Sequence, residues 1–360
     1  MNIYHIISTK KWDFSHQYIY DLAKAQKLDG HYVEIICRPV DEIISHYRKL
    51  EIPISTLSLN GVTDLESAKK LKKIIRNHGD VIINAHNFKS AITAALARNI
   101  SDNENIKIVV TRHIAKKGKS GFIYNTLYSS IDKVIFVSQH AKDIFLNGNP
   151  KIDDKKLEVL NESISLDAPA IANLRESFKI APEKRIIVSH GNLCAENGTD
   201  ILIKALSQID KEKYYLFLIG KGSNLFISNI NNIIVANQLQ DNIAIVSEDV
   251  HPQSYIAQCD FGVFPSIDES ASLIPCLDFM IMSKPFICSS NGAQTEYFEH
   301  RKDSYIVYSN DPYSLAAAIS DFLDNPHATL HLGERGKETF EKKFAYHDFY
   351  SNILNIYQKL

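Results

Sequence analysis

The chain has little of what would tie it to a metal cluster, a disulfide framework or a membrane span. Its 360 residues include five cysteines: Cys37, Cys194, Cys259, Cys276 and Cys288. They are widely spaced, odd in number and form no Cys-x-x-Cys pair, which argues against zinc ribbons and disulfide scaffolds. A reducing, cytoplasmic setting suits them, with each sulfur acting as a small buried apolar group. No run of about 18 apolar residues is present, so no membrane-spanning helix is expected. Excess charge is missing too. The 40 Lys and Arg stand against 42 Asp and Glu, a net charge of -2, which disfavours nucleic-acid binding by bulk charge. There is no Walker A loop, no Gly-x-Gly-x-x-Gly and no Asp-x-Asp. These absences count against P-loop chemistry, dinucleotide binding and a metal-chelated diphosphate, so no metal site and no cofactor is expected. The first residues lack the charged and long apolar regions of a signal peptide and read as a first strand.

What is present is an alternation of short apolar runs with helical patterns. Residues 2–8, 32–37, 81–84, 106–111 and 133–137 read as strands, each followed by a helix-compatible stretch. The pattern weakens between about 166 and 182 and restarts with strands at 185–189, 214–220, 232–236, 242–246, 261–264 and 285–288. Such βαβα patterning predicts an α/β fold of two doubly wound parallel-sheet domains, with a hinge near 166–184. The aromatic tail (Phe349, Tyr350, Tyr357) needs a surface to bury. It is therefore expected as a helix that crosses back to the first domain. In open α/β sheets ligands sit beyond the carboxyl ends of strands, so the chemistry-bearing residues are sought there.

The most informative segment runs from Phe261 to Ile287. A buried strand ends at Pro265-Ser266, an acidic loop carries Glu269, and a helix carries Asp278 before Lys284-Pro285 closes it. Two carboxylates thus flank a helix N-terminus formed by Ser272, Leu273 and Ile274. Such an N-terminus offers N–H groups and a positive dipole end to phosphate. A carboxylate accepts hydrogen bonds from vicinal sugar hydroxyls. Together they describe a nucleotide-sugar site; taken singly, each is compatible with an acidic loop and an exposed helix residue.

This segment resembles the donor site of family 4 GT-B glycosyltransferases, the retaining group that builds bacterial surface glycans. Pro265-Ser266, Glu269, Asp278-Phe279-Met280 and Ser283-Lys284-Pro285 occupy the places of the family's Pro-Ser, first acid, Glu-Ala-Met and Gly-x-Pro. The resemblance spans nearly the whole chain. It takes in Asp80 to His86, Thr111-Arg112-His113, Asp132 to Ser138, Val159-Leu160-Asn161, Gly191 to Leu206, Leu218 to Gly222, and Asn291 to Glu296. There are departures. Asn192 and Asn197 stand where the family has Arg and Lys, and Asp278 is one carbon shorter than the usual Glu. Glu269 and Asp278 are nine apart rather than eight. Trp12-Asp13-Phe14-Ser15 replaces a Gly-Gly loop, and Asn161-Glu162 replaces Asn-Gly.

The resemblance implies a GT-B architecture. Residues 1–165 would form an acceptor-binding domain, 166–345 a nucleotide-sugar domain, and 346–360 the crossing helix. It implies a retaining glycosyltransferase that moves a sugar from a nucleoside-diphosphate donor to a glycan or glycolipid in surface-polysaccharide synthesis. Glu269 and His86 would act at the transferred sugar, Asp278 would hold ribose, and the base would rest around 246–250. Gly191, Asn192, Asn197, Lys221 and the 272–274 helix start would meet the diphosphate, with Lys221 and His190 as candidate cations. Arg112, His113 and Lys116 would bind an anionic acceptor. Each of these positions also admits a plainer reading: His86 as a core histidine, Lys221 and the 116–119 loop as solvated surface, and the two Asn as turn residues. Lys69, Lys70, Lys72, Lys73 and Arg76 share one helix face, which is either solvated or rests on the inner face of an anionic membrane. Two other functions stay open: a non-catalytic GT-B partner protein that binds nucleotide sugar or glycan, and a sugar-nucleotide epimerase.

Overall fold

The structure is a computed structural model that describes residues 1–61, 64–75, 79–247, 250–269 and 271–360. The chain forms two compact units, Met1–Glu162 with Tyr346–Leu360, and Ser163–Ala345. The division falls a few residues before the expected 165/166 boundary.

The first unit holds seven strands: β1 (Asn2–Ile6), β2 (Tyr32–Cys37), β3 (Ile54–Thr56), β4 (Val81–Ala85), β5 (Ile106–Arg112), β6 (Lys133–Phe136) and β7 (Leu157–Val159). All pairings are parallel, in the order β3-β2-β1-β4-β5-β6-β7. The central strands are mostly apolar and almost wholly buried, as a sheet covered on both faces requires, with His5 in β1 and Asn84 in β4 as buried polar exceptions. One core packs β4 to β6 against the helices Leu65–Ile75 and Phe88–Asn99. Another packs the helix Phe14–Leu28 and the last helix, Tyr346–Gln358, on the opposite face. That last helix buries Phe349, Ile353, Ile356 and Tyr357 among Ile3, Ile7, Tyr18 and Leu22. Asn84 Nδ2 donates to the Tyr357 hydroxyl at 2.6 Å.

The second unit holds β8 (Arg185–His190), β9 (Tyr214–Ile219), β10 (Ile243–Val246), β11 (Phe261–Phe264), β12 (Phe286–Ser289) and β13 (Tyr305–Val307). They too are all parallel, ordered β10-β9-β8-β11-β12-β13. The strand expected at 232–236 is instead the last part of a helix, Asn224–Ala236. Ser223 caps it by accepting from the Phe226 N–H, and Ile230 and Ile234 bury one face four residues apart. Val235 lies 64% exposed, which a buried strand would not allow. The β-branched run 233–235 suggests a strand, but cap and periodicity decide for helix. Three short edge strands, β3, β7 and β13, carry too few residues to announce themselves in the sequence.

Strand order reverses between β1 and β4 in the first sheet and between β8 and β11 in the second. The carboxyl ends of these four strands are the crevices where an α/β sheet accepts ligands. Removing Ile353 from the last helix tests its share in the first unit. Ile353→Ala is expected to cost about 2–5 kcal/mol. Hydrogen exchange should speed up at β1 and β2 amides and stay unchanged at β8 and β11. Equal acceleration in both sheets would contradict this placement.

Candidate functional site

In the second unit, the loops that follow β8, β9 and β11 are locked together by their backbones. Glu196 O accepts the Ile267 N–H at 2.9 Å, and the Ser266 hydroxyl at 3.2 Å. A side chain at Gly198, where φ is +69°, would place its Cβ 2.0 Å from Pro265 O. Only glycine permits that approach. The same holds at Gly220, where a Cβ would meet Gly191 O at 1.8 Å. The Leu193 N–H donates to Lys221 O at 2.9 Å, which brings the Asn192 and Lys221 segments side by side. Lys221 is exposed.

Asn192 and Asn197 meet each other: Asn197 Nδ2 donates to Asn192 O at 2.8 Å and closes the turn. The helix Ile274–Ile281 begins just after Ser272 and Leu273. Its first turn has few spare donors, because Ile274 N–H points to Ser272 Oγ (3.3 Å) and Pro275 has no N–H. Glu269 is exposed, and its backbone carbonyl lies against Gly292.

Asp278 is buried on that helix at 6% exposure. Gln253 Nε2 donates to its Oδ1 at 2.7 Å, and His190 Nε2 lies 3.3 Å from its Oδ2. Gln253 in turn accepts the Asp167 N–H and donates to Ser165 O. Oδ1 thus has a hydrogen-bond donor, while His190 Nε2 lies against Oδ2 without forming a hydrogen bond. His190 is fully enclosed, and burial lowers its pKa to about 4. It is neutral at physiological pH and does not supply the cation expected of it. The donor-base segment 246–250 lies partly outside the described residues, as does Arg76 of the basic helix.

In the first unit, His86 directly follows β4 and His113 directly follows β5. Both are buried, at 3% and 8% exposure. His86 Nε2 is 2.9 Å from His5 Nδ1, and His86 Nδ1 is 3.0 Å from His113 Nε2. Both ring nitrogens of His86 are thus engaged by other imidazoles rather than presented to a ligand. Arg112 also turns inward. Its guanidinium stacks over Phe88 at 4.8 Å, it donates to Lys116 O at 2.8 Å, and burial brings its pKa down to about 10. Lys116, Lys117 and Lys119 remain exposed, next to exposed Ile114, Phe122 and Ile123. Asp13 caps the helix Phe14–Leu28, and burial raises its carboxyl pKa. Sequence reasoning missed His5, Gln26, Asp13 and Gln253 as members of these clusters. His5 and Gln26 sit inside regular elements, and only the fold brings them to a strand end. Among the described residues, no three His, Cys, Asp or Glu are grouped to hold a metal ion. Nor is any helix among them long and apolar enough to cross a membrane.

Comparison with known proteins joins the two units into one enzyme type. The family model described as glycosyl transferases group 1 matches residues 170–339, and the one described as glycosyltransferase family 4 matches residues 15–168. Between them the two models span most of the chain and support a glycosyltransferase, and its two parallel-sheet units have the GT-B fold. It is 27% identical to an uncharacterized glycosyltransferase of Methanocaldococcus jannaschii, over 83% of this chain and 82% of that one. It is 23% identical to an O-antigen biosynthesis glycosyltransferase of Escherichia coli, over 67% and 65% of the two chains. Among solved structures, a glycosyltransferase of Rickettsia africae superposes with a TM-score of 0.85 at 21% identity, covering 99% of this chain and 98% of that one. Anabaena HepE, solved with UDP and glucose, gives 0.86 at 16% identity, with both chains fully covered.

The burial of His190 carries a pH signature. Its pKa falls from 6.5 in the unfolded chain to about 4 in the native one. The unfolded state therefore binds the proton first, and native stability drops as pH falls from about 6.5 to 4. At about 1.4 kcal/mol per unit, His190 accounts for up to about 3 kcal/mol of that loss. His190→Phe should shrink the difference in urea-unfolding free energy between pH 7 and pH 4.5. An unchanged difference would show that His190 is not held neutral by burial.

Proposed function

We propose that this GT-B glycosyltransferase moves a sugar, with retention, from a nucleoside-diphosphate donor to a lipid-linked or glycan acceptor of a bacterial surface polysaccharide. The observation that carries this reading is the alignment of the β8, β9 and β11 loops at the second sheet's switch point. The turn that holds Asn192 and Asn197 packs beside Lys221 and against residues 265–268, the segment that leads into Glu269 and Ser272. In this reading Glu269 positions the transferred sugar and stabilises charge that develops at its anomeric carbon. Asp278 offers its carboxylate to ribose hydroxyls after giving up part of its bond to Gln253. No resident metal is invoked; Lys221 and backbone dipoles meet the diphosphate. Relatives point the same way. One is named for O-antigen biosynthesis, another for lipopolysaccharide core biosynthesis, and HepE was solved with UDP-glucose.

The acceptor side rests on the first unit. Lys116, Lys117 and Lys119 supply positive charge, while Ile114, Phe122 and Ile123 supply apolar surface within the same stretch. That combination suits a phosphate group attached to a lipid, presented from the inner face of a membrane. Arg112 and His113 shape this stretch from within; Lys116 is the member placed to touch an anion. In this reading His86 acts on the sugar by ordering its surroundings, since both its nitrogens are engaged.

The diphosphate assignment is tested by calorimetry with UDP as the probe. Lys221→Ala is expected to weaken binding by up to about tenfold, a modest loss because the lysine is exposed. Asn192→Arg should tighten binding, and added salt should erode the gain. If neither variant changes UDP affinity while the wild type binds, the diphosphate lies elsewhere. Glu269→Gln should lower turnover while leaving the donor KM nearly unchanged, as loss of a transition-state contact does. An unchanged turnover would remove Glu269 from the reaction.

A further inference from the structure

Five buried side chains cross the first sheet in one unbroken line. His5 Nε2 lies 2.7 Å from Gln26 Oε1, and His5 Nδ1 lies 2.9 Å from His86 Nε2. His86 Nδ1 lies 3.0 Å from His113 Nε2, and His113 Nδ1 lies 3.5 Å from Glu162 Oε1. His5 is on β1, His86 follows β4 and His113 follows β5, so the line runs across three adjacent strands. Glu162 is the last residue of the first unit before the chain leaves it. All but Gln26 and Glu162 are imidazoles, and each of the five is under about a tenth exposed.

Hydrogen positions in such a line are not independent. Two facing ring nitrogens must carry one hydrogen between them, so each ring's tautomer dictates the next. With Gln26 Oε1 toward His5, as drawn, every ring must donate from Nε2. His113 then meets Glu162 with a bare Nδ1 unless it carries a second proton. That orientation also leaves Gln26 Nε2 buried without a partner. Turning the amide over removes both problems. Gln26 N–H donates to His5 Nε2, the three rings donate from Nδ1, and Glu162 accepts as a carboxylate. The Gln26 oxygen then faces the Tyr357 hydroxyl, its neighbour on the last helix.

We propose that Glu162, Gln26 and His5 are positioning residues for His86 and His113, and that the five side chains form one two-state proton chain. In the first state three neutral rings point their Nδ1–H bonds toward Glu162. Uptake of one proton at His5 Nε2 gives the second. The hydrogen on His5 Nδ1 passes to His86 Nε2, that on His86 Nδ1 passes to His113 Nε2, and the Gln26 amide rotates. The added charge then resides on His113 as an imidazolium against Glu162. Protons balance, and no other reactant is needed.

The surroundings bear on both states. Burial pushes His5 down to about 4 and holds His86 well below its usual range, which favours the neutral form of both rings at neutral pH. Asp13, the cap of the first helix, and His16 within it both lie close enough to His113 to interact with it electrostatically. The Tyr18 ring meets His113 edge-on at 4.6 Å and His86 at 5.8 Å, and Tyr357 closes the far end. His46 and Glu42 act on His16 from the second helix. Any consequence for sugar transfer rests on the function proposed above; the chain itself does not.

The test reads tautomers by long-range ¹H–¹⁵N correlation on the full chain labelled with ¹⁵N-histidine, with no substrate present. At pH 7.5, His5 and His86 should both be Nδ1–H, the minor form of free histidine. Glu162→Leu should turn His5 to Nε2–H although the two residues do not touch, and Glu162→Gln, which keeps an acceptor oxygen, should restore Nδ1–H. A packing role for Glu162 cannot produce that contrast. On acidification His5 and His86 should switch together, with one midpoint. Nε2–H rings in the wild type at pH 7.5, or separate midpoints, would overturn the proposal. If Glu162→Leu does not fold, the wild-type titration still decides. Failure here leaves UDP binding untouched, so it is distinguishable from failure of the transferase reading.

Discussion

A parallel sheet covered on both faces leaves no solvent for the polar side chains near its strand ends, and this constraint shapes both halves of the molecule. Each must find a partner inside or remain costly. In the first sheet the solution is the line from Gln26 to Glu162, with Asn84, Thr111 and Tyr357 as a second set beside it. In the second sheet it is Asp278 held between Gln253 and His190. Both solutions lie at the point where strand order reverses, which is also where a ligand enters.

The same constraint sets the character of each strand-end cluster. In the first unit burial favours neutral His5 and His86, other imidazoles engage them, and Arg112 stacks inward; in the second unit the buried Asp278 already accepts from Gln253. In the proposed function, the charge that meets a diphosphate or an anionic acceptor comes from exposed lysines, Lys221 in one unit and Lys116, Lys117 and Lys119 in the other. A donor held this way depends on backbone geometry more than on strong ion pairs. The tight approaches at Gly198 and Gly220, where a Cβ cannot fit, fix that geometry.

Much of this was legible in the sequence. The central strands, Val81–Ala85 and Phe261–Phe264 among them, stand out because a doubly covered strand is largely an apolar run. The acidic loop and Asp278 stand out because carboxylates at a strand end need a reason. Residues 232–236 misled because a β-branched run satisfies strand propensity, whereas Ser223 and the Ile230–Ile234 spacing settle the helix. The imidazole line was illegible for a different reason. His5, His86 and His113 are separated by 81 and 27 residues, and only the strand order β1-β4-β5 makes them neighbours. The same holds for Gln253 and Asp278, which are joined by packing rather than by any local pattern.

The central claim is transfer of a sugar with retention by a site assembled on these strand ends. Its most direct test is incubation of the protein with ¹³C-labelled UDP-sugars and a bacterial lipid-linked glycan extract. The anomeric coupling of the product then gives its configuration. The account predicts a labelled glycolipid whose anomeric configuration matches that of the donor. A product of inverted configuration would contradict retention, an epimerised UDP-sugar would make the protein an epimerase, and a donor that binds yet stays unchanged would make it a non-catalytic member of the family.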